Sequence, residues 1–196
     1  MTRCWWSDSD DLLRRYHDLE WGRPVADDWR LFEKLILEGF MSGLSWLTIL
    51  RKRENFRAAF RGFDPAVVAR FGARDATRLM NDAGIVRNRA KIDATINNAR
   101  RYGDVVQEFG SFGAYVWRYA PRPRRRLLER DELMRITSTD EAVALSKDLR
   151  SRGWGFVGPT TVYSFMQAMG LVNDHIRGCT AGVEVQRLRR KFAPPR

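Results

Sequence analysis

The chain of 196 residues is 44% hydrophobic and carries a formal net charge of +11, which permits one full core and demands no second. Met1 leads directly into Thr-Arg-Cys-Trp-Trp-Ser, and no later run approaches the roughly 20 apolar residues of a membrane span, so a soluble, intracellular (cytoplasmic) protein with no membrane partner is expected. Arg far outnumbers Lys, which favours forked contacts with phosphate; nucleic acid is the natural partner, with plain solubility as the competing account of the charge.

In chain order, strand signals are nearly absent and helical periodicity recurs. Leu31, Leu35 and Glu38 fall on one helical face, as do Leu47, Leu50 and, farther on, Phe56. Asp64-Pro65 places a cap residue before a proline at a first helical position. A basic helix begins at Arg87-Asn88-Arg89-Ala90-Lys91 and continues to Arg100-Arg101; its cations either track a nucleic-acid strand or form a solvated face. Pro121-Arg122-Pro123-Arg124-Arg125-Arg126 is the one linker-like segment, read as a solvated loop. Ser138-Thr139-Asp140-Glu141 has the pattern of a capping box before Ala142-Val143-Ala144-Leu145.

A helix ending near Arg152 and another beginning near Thr160 flank Gly153-Trp154-Gly155-Phe156-Val157-Gly158-Pro159. This stretch has the form of a helix-hairpin-helix. The glycines allow a tight turn and expose N–H groups, the second helix directs its positive end outward, and Arg152 adds charge; together Gly155, Gly158, Thr160 and Arg152 would hold a DNA phosphate. A glycine-rich turn that is merely structural is the other reading. The expected architecture is all-α: one domain over residues 1–183, then a basic, flexible tail over 184–196.

The two cysteines and two histidines sit in pairs, Cys4 with His17 and His175 with Cys179. A His four residues before a Cys puts both on one helical face or across one turn, the bite that tetrahedral zinc requires, and the second pair completes four ligands. A Cys2His2 set leaves no open position, so the expected Zn2+ is structural and ties the chain's ends together. The competing readings are inert thiols beside surface imidazoles, or a Cys4–Cys179 disulfide, which an intracellular chain rarely keeps.

Several segments resemble the DNA-3-methyladenine glycosylase I family: Tyr16-His17-Asp18-x-Glu20-Trp21-Gly22, Glu38-Gly39, Gly43-Leu44-Ser45-Trp46, Lys52-Arg53-Glu54-Asn55, Ser164-Phe165-Met166-Gln167-Ala168 and Leu171-Val172-Asn173-Asp174-His175. The resemblance runs from Arg3 to Cys179. It implies an all-helical member of the helix-hairpin-helix glycosylases that removes 3-methyladenine from alkylated duplex DNA, working as a monomer, with zinc held by Cys4, His17, His175 and Cys179.

By the same resemblance the flipped base lies in an aromatic pocket. Glu38 accepts hydrogen bonds from the base edge and is the catalytic candidate, Trp46 stacks, Tyr16 orients the base, Trp6 and Trp21 stand nearby, and Leu44 fills the gap left in the duplex. Two departures matter. Phe40-Met41-Ser42 stands where many members carry a glutamine near position 41, which makes the pocket wall more apolar and keeps open a catalytically weak or inactive zinc-stabilised binder of alkylated DNA. Asn173 takes the place of a catalytic aspartate found in related glycosylases, and the matched pocket motifs hold no lysine for a Schiff base, so monofunctional hydrolysis without strand cleavage follows. The activator of water is not identified from sequence: Glu38 could serve, Asp174 is an outside candidate, and the other reading of Asp174 is that it orients His175.

Overall fold

The computed structural model describes residues 2–195, and among these every regular element is helical. The α-helices are α1 (Asp11–Leu19), α2 (Asp28–Met41), α3 (Trp46–Ala59), α4 (Pro65–Val68), α5 (Ala73–Asn81), α6 (Arg89–Phe109), α7 (Phe112–Trp117), α8 (Arg130–Met134), α9 (Asp140–Ser151), α10 (Pro159–Ala168) and α11 (Thr180–Lys191), with a 3-10 turn at Arg61–Phe63. No helix among the described residues is long and apolar enough to cross a membrane.

Side-chain caps explain where many helices start. Asp10, Asp27, Ser45, Asp64, Asn88, Ser111 and Thr139 each accept a backbone N–H from the first turn of the helix that follows, satisfying donors that have no partner within the helix. Asp64 and Pro65 behave as the sequence predicts. The box expected at Ser138 does not form: Thr139 is the cap, 3.3 Å from the Ala142 amide. Ala142 rather than Glu141 then occupies the third helical position, and no carboxylate can reach back.

α2 is the centre of the molecule, packed by α3, α6, α7 and α10. Leu31, Phe32, Leu35, Ile36, Leu37, Glu38 and Phe40 are all buried on it. One aromatic cluster, Phe40, Phe56, Phe60, Phe63 and Phe71, joins α2 to α3 and the 3-10 turn. Each such ring withdrawn from water contributes about 1.5–3 kcal/mol. Another cluster, Phe32, Tyr102, Phe112 and Trp154, pins the segment between α9 and α10 to the core, with Trp154 stacked on Phe112 at 5.5 Å.

α9 and α10 are the two arms of the helix-hairpin-helix. Its turn needs Gly153, whose φ of +83° is the left-handed region that side chains resist. On the facing side, a Cβ on Gly39 of α2 would lie 3.3 Å from Phe156, so a bare backbone lets the hairpin approach the helix that carries Glu38.

The two chain ends meet. The Thr180 amide donates to the Thr2 carbonyl at 3.1 Å, and Val185 of α11 is buried. The tail expected to be flexible from residue 184 is therefore helical to Lys191, and Phe192 packs on Trp117 at 4.5 Å. The basic residues of α11 mask a short apolar face, which is why the sequence read as a frayed end. Arg196, the last residue of that expected tail, lies outside the described residues.

Candidate functional site

Cys4, His17, His175 and Cys179 are buried together, and their ligand atoms all lie within 4.8 Å of one another. Cys4 precedes α1, His17 sits in the last turn of α1, and His175 and Cys179 bracket the turn that leads into α11. His175 Nδ1 lies 3.6 Å from Cys4 Sγ, 3.3 Å from Cys179 Sγ and 3.1 Å from His17 Nε2, and Cys179 Sγ lies 3.5 Å from His17 Nε2. A tetrahedron with bonds of about 2.05 Å to nitrogen and about 2.3 Å to sulfur has edges of about 3.3–3.8 Å. Four of the six separations thus lie close to tetrahedral edges, and the donor set suits a metal ion of that size and softness.

The outer nitrogens of both imidazoles are also fixed. His17 Nδ1 donates to Asp18 at 2.8 Å, and Asp18 is itself held by Arg3; His175 Nε2 donates to the Trp21 carbonyl at 3.2 Å. Such partners select the tautomer that presents the other nitrogen to a metal. Asp174 does not orient His175, contrary to expectation. Its carboxylate accepts from Arg124 and Tyr163, and from Gln167 at 2.8 Å. Asn173 donates to the Gly182 carbonyl at 3.1 Å and so anchors α11.

Beside this group lies a cavity of about 170 Å³ lined by Trp6, Tyr16, Trp21, Glu38, Met41, Trp46, Ser164 and Gln167. All five expected pocket residues thus meet in one place. Trp6 contacts Trp21 at 5.0 Å and Tyr16 at 6.4 Å between ring centroids, and Tyr16 contacts Trp46 at 5.3 Å. Glu38 Oε2 is buried without a hydrogen-bond partner, as is Trp46 Nε1. Native interiors rarely leave such atoms unmet unless a ligand or water completes them. Met41 lines the cavity, which gives it the apolar wall expected at that position.

Sequence reasoning missed Lys34. Its Nζ donates to Tyr16 Oη at 2.6 Å, pairs with Glu38 Oε1 at 3.1 Å and lies 3.3 Å from the Trp46 ring centroid. Lys34 lies outside the motifs that carry the resemblance and does not line the base cavity: its ammonium stands behind Tyr16 and Trp46, in an adjoining cleft also lined by Glu20, Glu33 and Arg53. Burial pushes Lys34 down to about 8, and the neighbouring Glu38 carboxylate partly offsets that. Burial likewise raises Glu38, with Lys34 pulling it back. The spacing of Lys34 and Glu38, four apart on an apolar helix, was the available signal.

The expected DNA-contacting residues divide. Leu44 is 44% exposed in the turn between α2 and α3, and Lys91 braces that turn by donating to the Phe40 and Ser42 carbonyls at 2.9 and 2.6 Å. Thr160 is exposed in the first turn of α10, whose start at Gly158 has no side-chain cap. Gly155 and Arg152 are already committed within the protein. The Gly155 amide donates to Asn98 at 2.8 Å, and the Arg152 guanidinium is neutralised by Glu108 and Asp148. The basic helix α6 spends its cations similarly: Arg89 pairs with Asp93, Arg101 pairs with Asp104, and Arg100 donates to the Ala69 and Phe71 carbonyls.

A family model described as methyladenine glycosylase matches residues 5–182. The chain is 49% identical over 180 residues to the DNA-3-methyladenine glycosylase 1 of Escherichia coli (strain K12), covering 91% of this chain and 96% of that protein. It is 41% identical over 179 residues to the DNA-3-methyladenine glycosylase of Haemophilus influenzae (strain ATCC 51907 / DSM 11121 / KW20 / Rd), with coverage of 91% and 96%. Its fold superposes on the structure of Staphylococcus aureus 3-methyladenine DNA glycosylase I that describes 3-methyladenine recognition, at a TM-score of 0.87 and 41% identity over 93% of this chain and 97% of that one.

Proposed function

The chain belongs to the methyladenine glycosylase family, and from that premise we propose how its own residues carry out the excision of 3-methyladenine from alkylated DNA in base-excision repair. The reaction is hydrolysis of an N-glycosidic bond. Methylation at N3 makes adenine cationic, so the bond is already weakened and the base departs neutral. The protein's tasks are then to extrude the nucleotide and to recognise the charged ring.

The observation that carries this reading is the unpartnered Glu38 Oε2 in a cavity walled by four aromatic residues. Lys34 and Tyr16 occupy the other side of the network, with Lys34 holding Oε1, so Oε2 remains to accept from the base edge. The carboxylate favours a cation over neutral adenine, and Trp46 adds a stacking surface worth about 1–3 kcal/mol. Trp46 also attracts a cationic ring. Leu44 takes the space that the base vacates, and the open first turn of α10 at Thr160 receives a phosphate.

Lys34 Nζ is tied to Glu38 and Tyr16 behind the aromatic wall, and the reading is hydrolysis without strand cleavage. Cys4, His17, His175 and Cys179 would hold zinc, which their Cys2His2 donor set suits, and the ion would supply a scaffold. Four protein ligands leave it no open position for water.

Release of free 3-methyladenine from methylated duplex DNA tests the reading. The wild-type chain should release it, while Glu38→Gln should reduce kcat/KM by about 10²-fold or more, the scale of losing one preorganised polar contact, and Trp46→Ala by about 5- to 150-fold, the loss of its stacking. Tight binding of alkylated DNA without release by the wild-type chain would establish the binder in place of the enzyme.

A further inference from the structure

The segment between α7 and α8, read from sequence as a solvated loop, walls a hollow outside the base pocket. The hollow measures about 390 Å³ and is lined by Arg122, Arg124, Arg125 and Arg126 from the loop and by Arg189 and Arg190 from α11, with Glu141 as its one acidic residue among those described. Two of the six cations are neutralised. Arg124 pairs with buried Asp174, and Arg126 binds both oxygens of Glu132 at 2.7 and 2.8 Å. Arg122, Arg125, Arg189 and Arg190 make no ion pair or hydrogen bond among the described residues.

Arg189 carries most of the argument. It is half-buried, and burial lowers its pKa, an effect that the Asp174 carboxylate only partly offsets and the Arg124 charge reinforces. A guanidinium withdrawn from water beside a like charge is unfavourable unless an anion joins it. The nearest carboxylate, Asp174, already serves Arg124, Tyr163 and Gln167. Forked guanidinium groups converging from two walls suit the geometry of a phosphate better than that of a single carboxylate.

The hollow is not an isolated patch. Asp174 links Arg124 on its wall to Gln167, which lines the base pocket, and Asn173 ties its floor to α11 through the Gly182 carbonyl. We propose that this arginine-lined hollow between the 121–126 loop and α11 is a phosphate site that takes a backbone phosphate of the DNA strand lying beside the base pocket. The inference rests on the glycosylase reading for its choice of DNA as the source of phosphate. It also supplies the charge that Arg152 and α6 have spent inside the fold.

Binding of undamaged duplex DNA across a salt series tests it, using the full chain and the double variant Arg189→Gln/Arg190→Gln. Removing one cation that neutralises a phosphate should reduce the slope of log Kd against log salt by about 0.9, so a decrease of about 1–2 and at least a several-fold weaker Kd at low salt are expected. The charge-matched pair Arg70→Gln/Arg74→Gln, exposed on α4 and α5 flanks, should leave the slope near its wild-type value. An equal decrease in that pair would reduce the effect to general charge and overturn the site. Inorganic pyrophosphate binding by calorimetry that vanishes in the Arg189/Arg190 variant while the DNA slope holds would assign the hollow to a small anion instead. Unchanged binding of free 3-methyladenine verifies that the variant is folded. Because none of these measurements requires base release, failure of the excision reading and failure of this site are told apart.

Discussion

Glu38 and Lys34 form one buried pair whose charges set the pocket's response to pH. Glu38 must be ionised to favour a cationic base, and its pKa is raised by burial and restrained by Lys34. As pH falls through that raised value the carboxyl takes a proton and recognition fails. The acid limb of kcat/KM should therefore lie above the ordinary glutamate range and disappear in Glu38→Gln. Lys34→Met removes the restraint, so Glu38 should climb further and the acid limb should move to higher pH. A limb that stays in place in Lys34→Met would show that the ammonium does not control the carboxylate. Glu38, Trp46 and Tyr16 were legible because they sit in motifs; Lys34 left only its spacing to Glu38 as a signal, since a lysine on a helix otherwise reads as a solvated charge and only the packing of α1 against α3 encloses it. Arg152 misled for the opposite reason. Its partner Glu108 lies 44 residues away in sequence, and no local pattern announces that pairing.

At the level of elements, the hairpin between α9 and α10 separates two kinds of glycine. Gly153 has φ of +83°, whereas Gly158 has φ of −64° and open space where a Cβ would stand. Gly153→Ala should cost about 1–2 kcal/mol, the penalty of a side chain in the left-handed region, and the guanidinium of Arg101, 3.3 Å from the added carbon, must also shift. Gly158→Ala should be close to neutral by the same thermal melt. Equal destabilisation by the two would mean that the turn's backbone geometry is not what Gly153 serves. Helix starts such as Asp64-Pro65 were readable from sequence because a cap acts within three residues. The start at Thr139 slipped by one because Ser138 and Thr139 are both competent caps and only the packing of Ala142 and Leu145 chooses between them.

Across the whole molecule, the Cys and His pairs close a loop that contains nearly all of the chain, and they do so against the aromatic wall of the base pocket. His17 follows Tyr16 in α1 and faces Trp6 at 5.3 Å, while His175 holds the Trp21 carbonyl. Three of the four aromatic residues lining the cavity are thus set by residues of the Cys/His group. The pairing was visible in the sequence because no other Cys or His competes for it; its contact with the pocket was not, because that depends on α1 meeting the turn before α11. Elemental analysis should find one zinc per chain in the wild type and none in Cys179→Ser. Chelation should lower Tm, since the termini are then tied only by contacts such as Thr180 with Thr2, and should weaken free 3-methyladenine binding over the same range of chelator. Tryptophan fluorescence follows both. If base affinity persists after the zinc is gone, the ion is a tether alone; if the two fall together, the clasp that joins the chain's ends also holds the pocket in shape.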